Sequence, residues 1–406
     1  MVQGLSNELV MREKKIRKRI LSLQALKRKQ EVLRLARTGA RSLAIQGDEW
    51  DRDPWLLGVE NGVIDLRTGE LRSGKPADYI RTVARTSFLG LDYPAPTWEQ
   101  ALSEIFSDNP EVTPYIQKLL GYGITGLTTL HMVSIFYGPG GRNGKGTIIE
   151  ALKIVLGDLA HKTRSAVLLQ SRYPSARGAA DADTVAFQGK RIIWASETDD
   201  GQFLDAARIK ELTGGDTLNA RLPYAKRAVE FAPSHLLILL TNHRPKVPAD
   251  DEALWSRLHL IPFNQRFVDD PAKPNERRAD HALMEKLKKE APGILAWLVR
   301  GCLAWQKEDL CQPDCVKVSI DEYRSAEDEL VQFLEDEGIL KSGPSEIRTS
   351  FLHADYVRWF HDTQSPGNPM SMKRFSSRLV GLGYERDATG RHPVFRFKVA
   401  EQGVIV

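Results

Sequence analysis

Cysteine is scarce in this chain: Cys302, Cys311 and Cys315 are the only three among 406 residues, and no two of them form a C-x-x-C pair. So few thiols exclude a disulfide framework, and their spacing excludes the common zinc pattern, so reduced cysteines in a cytosolic protein are expected. Long hydrophobic runs are missing too. The longest apolar stretches, such as LLILL (Leu236–Leu240) and GILAWLV (Gly293–Val299), fall well short of the roughly 20 residues a membrane span needs. No charged, then apolar, then small-residue signal opens the sequence, so no membrane partner and a cytoplasmic location are expected. Charge is unevenly spread along the chain. From Arg12 to Arg41 twelve Lys/Arg face just Glu13 and Glu31, a local balance of +10 in a chain whose formal net charge is +4. The remainder is therefore net acidic, and the positive charge is concentrated.

What is present reads as an ordinary globular protein, 27% charged and 42% apolar, long enough for two to three domains. In the basic stretch Ile16, Ile20, Leu23, Leu26, Leu33 and Leu35 recur at roughly helical spacing, which predicts an amphipathic helix or two. Such a segment serves either as a solvated basic helix packing on its own domain or as a nucleic-acid contact, since clustered cations release counterions from a polyanion. DPWLLGVENGVIDLRTGEL (53–71) has apolar β-type runs broken by Asn61-Gly62 and Thr68-Gly69, a hairpin signature. Residues from about Trp98 to Leu127 read as helical.

A strand, HMVSIFYG (131–138), runs straight into GPGGRNGKGT (138–147), and a helix follows to Gly157. The usual triphosphate loop has Gly, four residues, then Gly-Lys-Ser/Thr. Here Pro139 stands where the first glycine is usual, an extra glycine widens the loop, and Gly146 follows Lys145, so the hydroxyl comes only at Thr147. The strand–loop–helix context still fits a phosphate cradle. Gly138, Gly140, Gly141, Asn143, Gly144 and Gly146 let backbone N–H groups converge on phosphate oxygens, the helix adds its positive end, and Lys145 supplies a mobile cation. Thr147 is the expected Mg²⁺ ligand, provided the widened loop rotates, because successive helical residues point about 100° apart.

Such a site also needs an acid, a sensor of the γ-phosphate and a cation for the transition state. KRIIWASETDD (190–200) is a buried-type strand that delivers Glu197 to its carboxyl edge, the expected activator of water and second metal ligand. HLLILLTNHRP (235–245) is a second such strand and ends at Asn242, placed beside Glu197 as sensor, with turn chemistry before Pro245 as the alternative. WSRLHLIPF (255–263) sets Arg257 between apolar anchors, and Lys210 to Arg221 reads K-x-x-x-G-G-D-x-x-x-x-R, with Asp216 closing the G-G-D.

Taken in order and spacing, NGKGT, RIIWASETD, the G-G-D stretch, ILLTNHRP and WSRLHLIPF resemble the superfamily three helicases, in particular the phage and plasmid primase-helicase branch that includes the poxvirus-type enzymes. The similarity spans roughly Leu43 to Phe267, and small-molecule kinases have no counterpart to the G-G-D stretch. The resemblance implies ring-shaped, usually hexameric, DNA-dependent ATPases with an AAA-like α/β P-loop NTPase core. It implies ATP and Mg²⁺ as cofactors, and as partners single-stranded and forked DNA, further copies of the chain, and a separate primase or polymerase. Lys145 and Thr147 match the family's cradle, Glu197 its acid, Asn242 its first sensor, and Arg257 the arginine that reaches a neighbouring subunit's nucleotide. Lys210, Asp216 and Arg221 fall in the intersubunit motif. LPYAKRAVEF (222–231) resembles the pore hairpin, whose tip would carry Lys226 and Arg227 to DNA phosphates; an exposed basic turn is the other reading. Only a basic stretch of about forty residues precedes the matched part, without an acidic cluster for catalytic metals, so primer synthesis is not predicted from this chain. A phage-encoded protein of this kind would work in the host cell cytoplasm. A non-unwinding initiator or loader and a DNA packaging motor remain open, because the same ring moves DNA in each.

The remainder reads as a small separate domain. LVQFLEDEGIL, FLHADYVRWFHD and SMKRFSSRLVGLGY are helices and HPVFRFKVA a terminal strand, together suggesting a winged helix with Lys373 and Arg374 on one side of the third helix, either for DNA or simply solvated. The expected division is a basic helical segment 1–42, an α/β pre-helicase domain 43–127, the ATPase core 128–310 and the winged-helix-like domain 325–400.

Overall fold

A computed structural model describes residues 2–38, 49–170, 181–196, 201–225, 227–363, 368–388 and 393–399. They form two compact units, one up to Arg52 and one from Asp53 onward. The first contains α1 (Val2–Gln24) and α2 (Leu26–Ala36), and no residue of α2 is buried. The basic stretch is thus helical as its periodicity predicts, but its apolar stripe, Ile16, Ile20, Leu23, Leu33 and Leu35, stays exposed.

The second unit opens on an antiparallel meander of β1 (Leu56–Val59), β2 (Gly62–Asp65) and β3 (Glu70–Arg72). Its two reversals fall on Asn61-Gly62 and Thr68-Gly69, the second made possible by the left-handed φ of 76° at Gly69. Two helices follow, α3 (Pro96–Ile105) and α4 (Val112–Gly123), burying Trp98, Leu102 and Ile105 from one and Ile116, Leu119 and Leu120 from the other.

From there strands and helices alternate. β4 (Val133–Tyr137) leads to α5 (Lys145–Leu156), β5 (Ala160–Thr163), α6 (Ala182–Val185) and β6 (Ile192–Ser196). Then come α7 (Ala206–Thr213), a hairpin of β7 (Leu218–Ala220) and β8 (Val229–Phe231), β9 (Leu236–Thr241), α8 (Glu252–Trp255) and β10 (Leu258–Pro262). Five of these strands form one wholly parallel sheet in the order β10-β4-β9-β6-β5. A parallel sheet is covered on both faces, so its strands read as unbroken apolar runs. All six residues of β9 are buried; Leu236 and Ile238 join the core on one face, Leu237 and Leu239 that on the other.

Two short strands, β11 (Arg266–Val268) and β12 (Glu276–Arg278), precede α9 (Leu283–Lys289) and the long α10 (Ala291–Glu308). α10 lies directly on α4. A Cβ on Gly121 would sit 2.2 Å from the Cys302 nitrogen, and one on Gly301 would sit 2.1 Å from the Gln117 carbonyl oxygen. Only glycine at both positions permits this approach.

After α11 (Asp314–Ala326) the chain forms α12 (Glu329–Asp336), β13 (Ile339–Arg348), α13 (Thr349–Thr363), α14 (Met372–Gly381), β14 (Glu385–Asp387) and β15 (Val394–Val399). The three strands pair antiparallel in the order β13-β15-β14, and Phe333, Tyr356, Phe375 and Phe395 share a core of their own. The three helices match expectation; β13 was not anticipated. Its Gly343-Pro344 reads as a turn, and the strand absorbs it by breaking register between Lys341 and Ser345. Among the described residues no helix is long and apolar enough to cross a membrane.

Candidate functional site

The loop after β4 is built from left-handed residues: φ is 78° at Gly140, 69° at Gly141, 53° at Arg142 and 88° at Gly144. It is clamped from both sides. A Cβ on Gly138 would meet the Phe263 carbonyl oxygen at 2.5 Å, and one on Gly144 would meet the Ile105 side chain at 2.6 Å. Buried Asn143 closes the loop by donating from Nδ2 to the Gly138 carbonyl at 2.9 Å. Lys145, the first residue of α5, points back across it: Nζ donates to the Gly138 carbonyl at 2.7 Å and to Asn242 Oδ1 at 2.9 Å. Its side chain is 6% exposed, and burial lowers its ammonium to about 8.

The sheet order explains why these groups converge. The connection leaving β4 crosses toward β5 at one edge, whereas the connection leaving the adjacent β9 crosses β4 to reach β10 at the other. Neighbouring strands whose connections diverge leave a crevice at their carboxyl ends, where open parallel sheets bind ligands. Lys145 bridges that crevice, joining the end of β4 to the residue after β9. A buried ammonium ringed by glycines, with no acid paired to it among the described residues, fits a polyphosphate better than it fits a structural role.

Beside the loop opens a cleft of about 880 Å³, bounded by Gln100 and Glu104 of α3, by Arg142, Gly144 and Thr147, and by the segment 267–286. That far wall is fastened to the loop, since the Phe267 N–H donates to the Arg142 carbonyl at 2.7 Å. Gly146 is exposed with no atom near where a Cβ would lie, while Thr147 faces the cleft. Glu197 lies outside the described residues; β6 ends at Ser196, in register with Leu240 of β9.

The remaining expected residues lie elsewhere. The Arg257 carbonyl accepts from the Val133 N–H at 2.8 Å, which puts Arg257 at the amino end of β4, and its Nη1 donates to the Ala253 carbonyl at 2.6 Å. Lys210 gathers there too, through an acid that sequence reasoning missed. Both Asp251 oxygens accept from Lys210 Nζ at 2.7 Å, and Asp251 also caps α8 by accepting from the Leu254 N–H at 3.0 Å. The signal was present as an aspartate one residue before an apolar helical turn. Asp216, Arg221 and Arg227 are exposed, and Lys226 lies outside the described residues. On α14 Lys373 is exposed, while Arg374 is engaged by exposed Asp250, in the loop before α8, at 2.5 Å. Arg244, also unforeseen, is held between the rings of Tyr137 and Tyr323, at 5.0 and 5.7 Å from their centroids.

Residues 2–107 match a family described as D5 N terminal like, and residues 136–257 match one described as a family of unknown function, DUF5906. "Putative helicase L207/L206" of Acanthamoeba polyphaga mimivirus is 28% identical over 298 residues, covering 70% of this chain and 31% of that protein. "Putative helicase 022R" of Frog virus 3 is 25% identical over 395 residues, covering 80% and 40%. "Putative primase C962R" of African swine fever virus (strain Badajoz 1971 Vero-adapted) is 23% identical over 332 residues, covering 77% and 34%. The chain thus spans well under half the length of these relatives. The A form apo structure of the NrS-1 C-terminal region aligns at 13% identity over 92% of this chain and 91% of that one, with a TM-score of 0.47, too low to argue from. The two family matches and the relatives named as viral helicases and primases together support a phage and viral primase-helicase family for this chain.

Proposed function

We propose that this chain is the ATP-driven motor portion of a replicative DNA helicase, working as a ring, usually of six copies, on single-stranded DNA at a fork. Its parts would be the basic segment 1–42, the pre-helicase domain 43–127, an AAA-like P-loop core 128–310 and a winged-helix domain 325–400. The observation that carries the reading is Lys145, a nearly buried ammonium set between Gly138 and Asn242 where the parallel sheet opens.

Each residue then has a task. The glycine loop and the amino end of α5 bind the phosphates through backbone N–H groups, and Lys145 holds the β- and γ-phosphates in line. Asn242, within 2.9 Å of Lys145 Nζ, senses whether the γ-phosphate is present, and Glu197 orients the attacking water. Thr147 and Glu197 would hold Mg²⁺, which neutralises charge on the phosphate oxygens. Arg257 lies too far along the sheet to serve its own cradle and would serve that of the adjoining subunit, with Lys210, Asp216 and Arg221 lining the same junction. DNA would be held by the β7–β8 hairpin with Lys226 and Arg227, and by Lys373 and Arg374 of α14, mainly through backbone charge, so binding weakens as salt rises.

A forked duplex incubated with ATP tests the proposal. The parent protein should separate the strands and the Lys145→Ala variant should not. DNA-stimulated hydrolysis without separation would instead identify a loader or a packaging motor.

A further inference from the structure

The β7–β8 hairpin ends in an unusual way. Its base is rigid: Leu218 pairs with Phe231 and Ala220 with Val229, and Leu218, Ala220 and Phe231 are buried in the core. Its tip is entirely exposed from Arg221 to Tyr224. The Ala225 N–H donates to the Leu222 carbonyl at 3.1 Å, closing a turn with Pro223 second and Tyr224 third. Tyr224 has a φ of 62°, so this is a type II turn, whose third position is normally glycine or asparagine. The ring itself touches almost nothing, at 104% of a reference tyrosine's exposure. An aromatic residue at a conformationally unfavourable position, with no packing in return, is one the fold itself does not require.

We infer that Tyr224 is a base-stacking contact for single-stranded DNA, offered at the tip of this hairpin. The inference rests on the proposed function for its ligand class and adds a contact that backbone charge cannot supply. Chemistry favours a nucleic acid over another protein at this spot. Arg221 and Arg227 lie three residues to either side of Tyr224 in the sequence, and both are exposed. Cations beside a free aromatic face suit alternating phosphates and bases, and every base offers a π-face, so such a contact is indifferent to sequence. Phosphate contacts position the strand; the ring would register it one base at a time.

The test uses the full chain with two oligonucleotides of equal length, oligo(dT) and an abasic version of the same backbone, at one fixed salt concentration. The parent should bind oligo(dT) more tightly than the abasic strand. Tyr224→Ala should weaken oligo(dT) binding on the order of tenfold, the scale of one lost stacking contact, and leave abasic binding unchanged. Tyr224→Phe and Tyr224→Trp should retain the preference for dT. Tyr224→Asn, suited to the turn, should lose it while keeping the parent melting temperature. Equal binding of oligo(dT) by parent and Tyr224→Ala would overturn the inference, as would equal loss on both strands, or a drop in oligomer mass that makes Tyr224 a subunit contact. A parent that binds neither strand would remove the proposed function along with it, whereas an unaffected variant of a DNA-binding parent removes this inference alone.

Discussion

Lys145 and Arg257 stand at opposite ends of one strand. Lys145 Nζ donates to the Gly138 carbonyl just past the carboxyl end of β4, and the Arg257 carbonyl accepts from Val133 at its amino end. Five residues of strand separate them, roughly 15 Å along the sheet. One copy therefore cannot bring its own guanidinium to its own cradle. The proposed motor then predicts complementation. Arg257→Ala should bind ATP like the parent but hydrolyse it about 10³-fold or more slowly, and Lys145→Ala should fail to bind. Mixed in equal parts, the two should hydrolyse faster than either alone, because some junctions join an intact cradle to an intact arginine. Steady-state ATPase measured against mixing ratio checks this; a simple average of the two variants would rule out service in trans.

The burial of Lys145 makes nucleotide binding pH-dependent. In the free protein its ammonium is lowered to about 8 because burial disfavours the charged form. A bound polyphosphate favours the charged form, so above pH 8 binding must take up a proton. Affinity for ATP should accordingly be flat below about pH 8 and fall above it, by up to about tenfold per pH unit. The nucleotide-free fold shows the opposite slope. Its pKa is depressed relative to the unfolded chain, so below 8 the buried charge is a penalty, which is relieved as pH rises from about 8 toward the ordinary lysine value. Calorimetric titration in two buffers of different ionisation enthalpy reads the proton uptake directly. Lys145→Arg, which cannot deprotonate, should abolish it.

Legibility in the sequence followed burial. β4, β6 and β9 were readable because strands covered on both faces carry unbroken apolar runs, and the loop was readable because glycine fills three of its four left-handed positions, Arg142 taking the fourth. The placing of Asn242 after one such strand followed from the same pattern; its contact with Lys145 was not part of that reading. Less legible was anything set by a long-range partner. Nothing local announces that Asp251 takes up Lys210 from forty-one residues away, or that Arg374 reaches Asp250 across one hundred and twenty-four. Arg244 likewise reads as part of a turn until Tyr323 closes over it. β13 escaped because a glycine-proline pair is a turn signal by itself and becomes a bulge only once β15 is there to pair with it.

The loop glycines should differ in what they tolerate. Gly144 has φ 88°, and an added Cβ would press on Ile105 at 2.6 Å, so Gly144→Ala should destabilise the protein by about 1–2 kcal/mol from the backbone alone. Gly146 has open space around the same position, and Gly146→Ser, which restores the customary hydroxyl, should stay within about 0.5 kcal/mol of the parent. Thr147 lines the cleft. Thr147→Ala should keep the parent melting temperature yet lose most Mg²⁺-dependent hydrolysis, and Gly146→Ser in the same chain should not harm it further. Thermal melts paired with ATPase assays over a Mg²⁺ series decide the matter; full activity in Thr147→Ala would mean that the hydroxyl has no part in holding the metal.

Asp251 should act on turnover without acting on affinity. Burial, the largest single influence, would raise its carboxyl, but the hydrogen bonds from Lys210 and the Leu254 N–H and the charges of Lys210 and Arg257 together outweigh this and hold it below the ordinary aspartate value. The same carboxylate caps α8, whose Ala253 carbonyl accepts from the Arg257 guanidinium, so the cap and the arginine share one short helix. Removing it in Asp251→Ala should cost about 0.5–2 kcal/mol as a lost cap. The ion pair adds little, because its two side chains are 34% and 22% exposed and pairs at such sites contribute only about 0–1 kcal/mol. Asp251→Asn keeps an oxygen for the Leu254 N–H and should recover most of the stability while still losing the grip on Lys210. Both variants should hydrolyse ATP more slowly, since Arg257 is then less well positioned, and both should bind nucleotide like the parent, since the cradle lies at the far end of β4. Melting temperature, ATPase rate and a fluorescent-nucleotide titration separate these effects; a loss of affinity in parallel with turnover would show that Asp251 supports the whole core and does not specifically position Arg257.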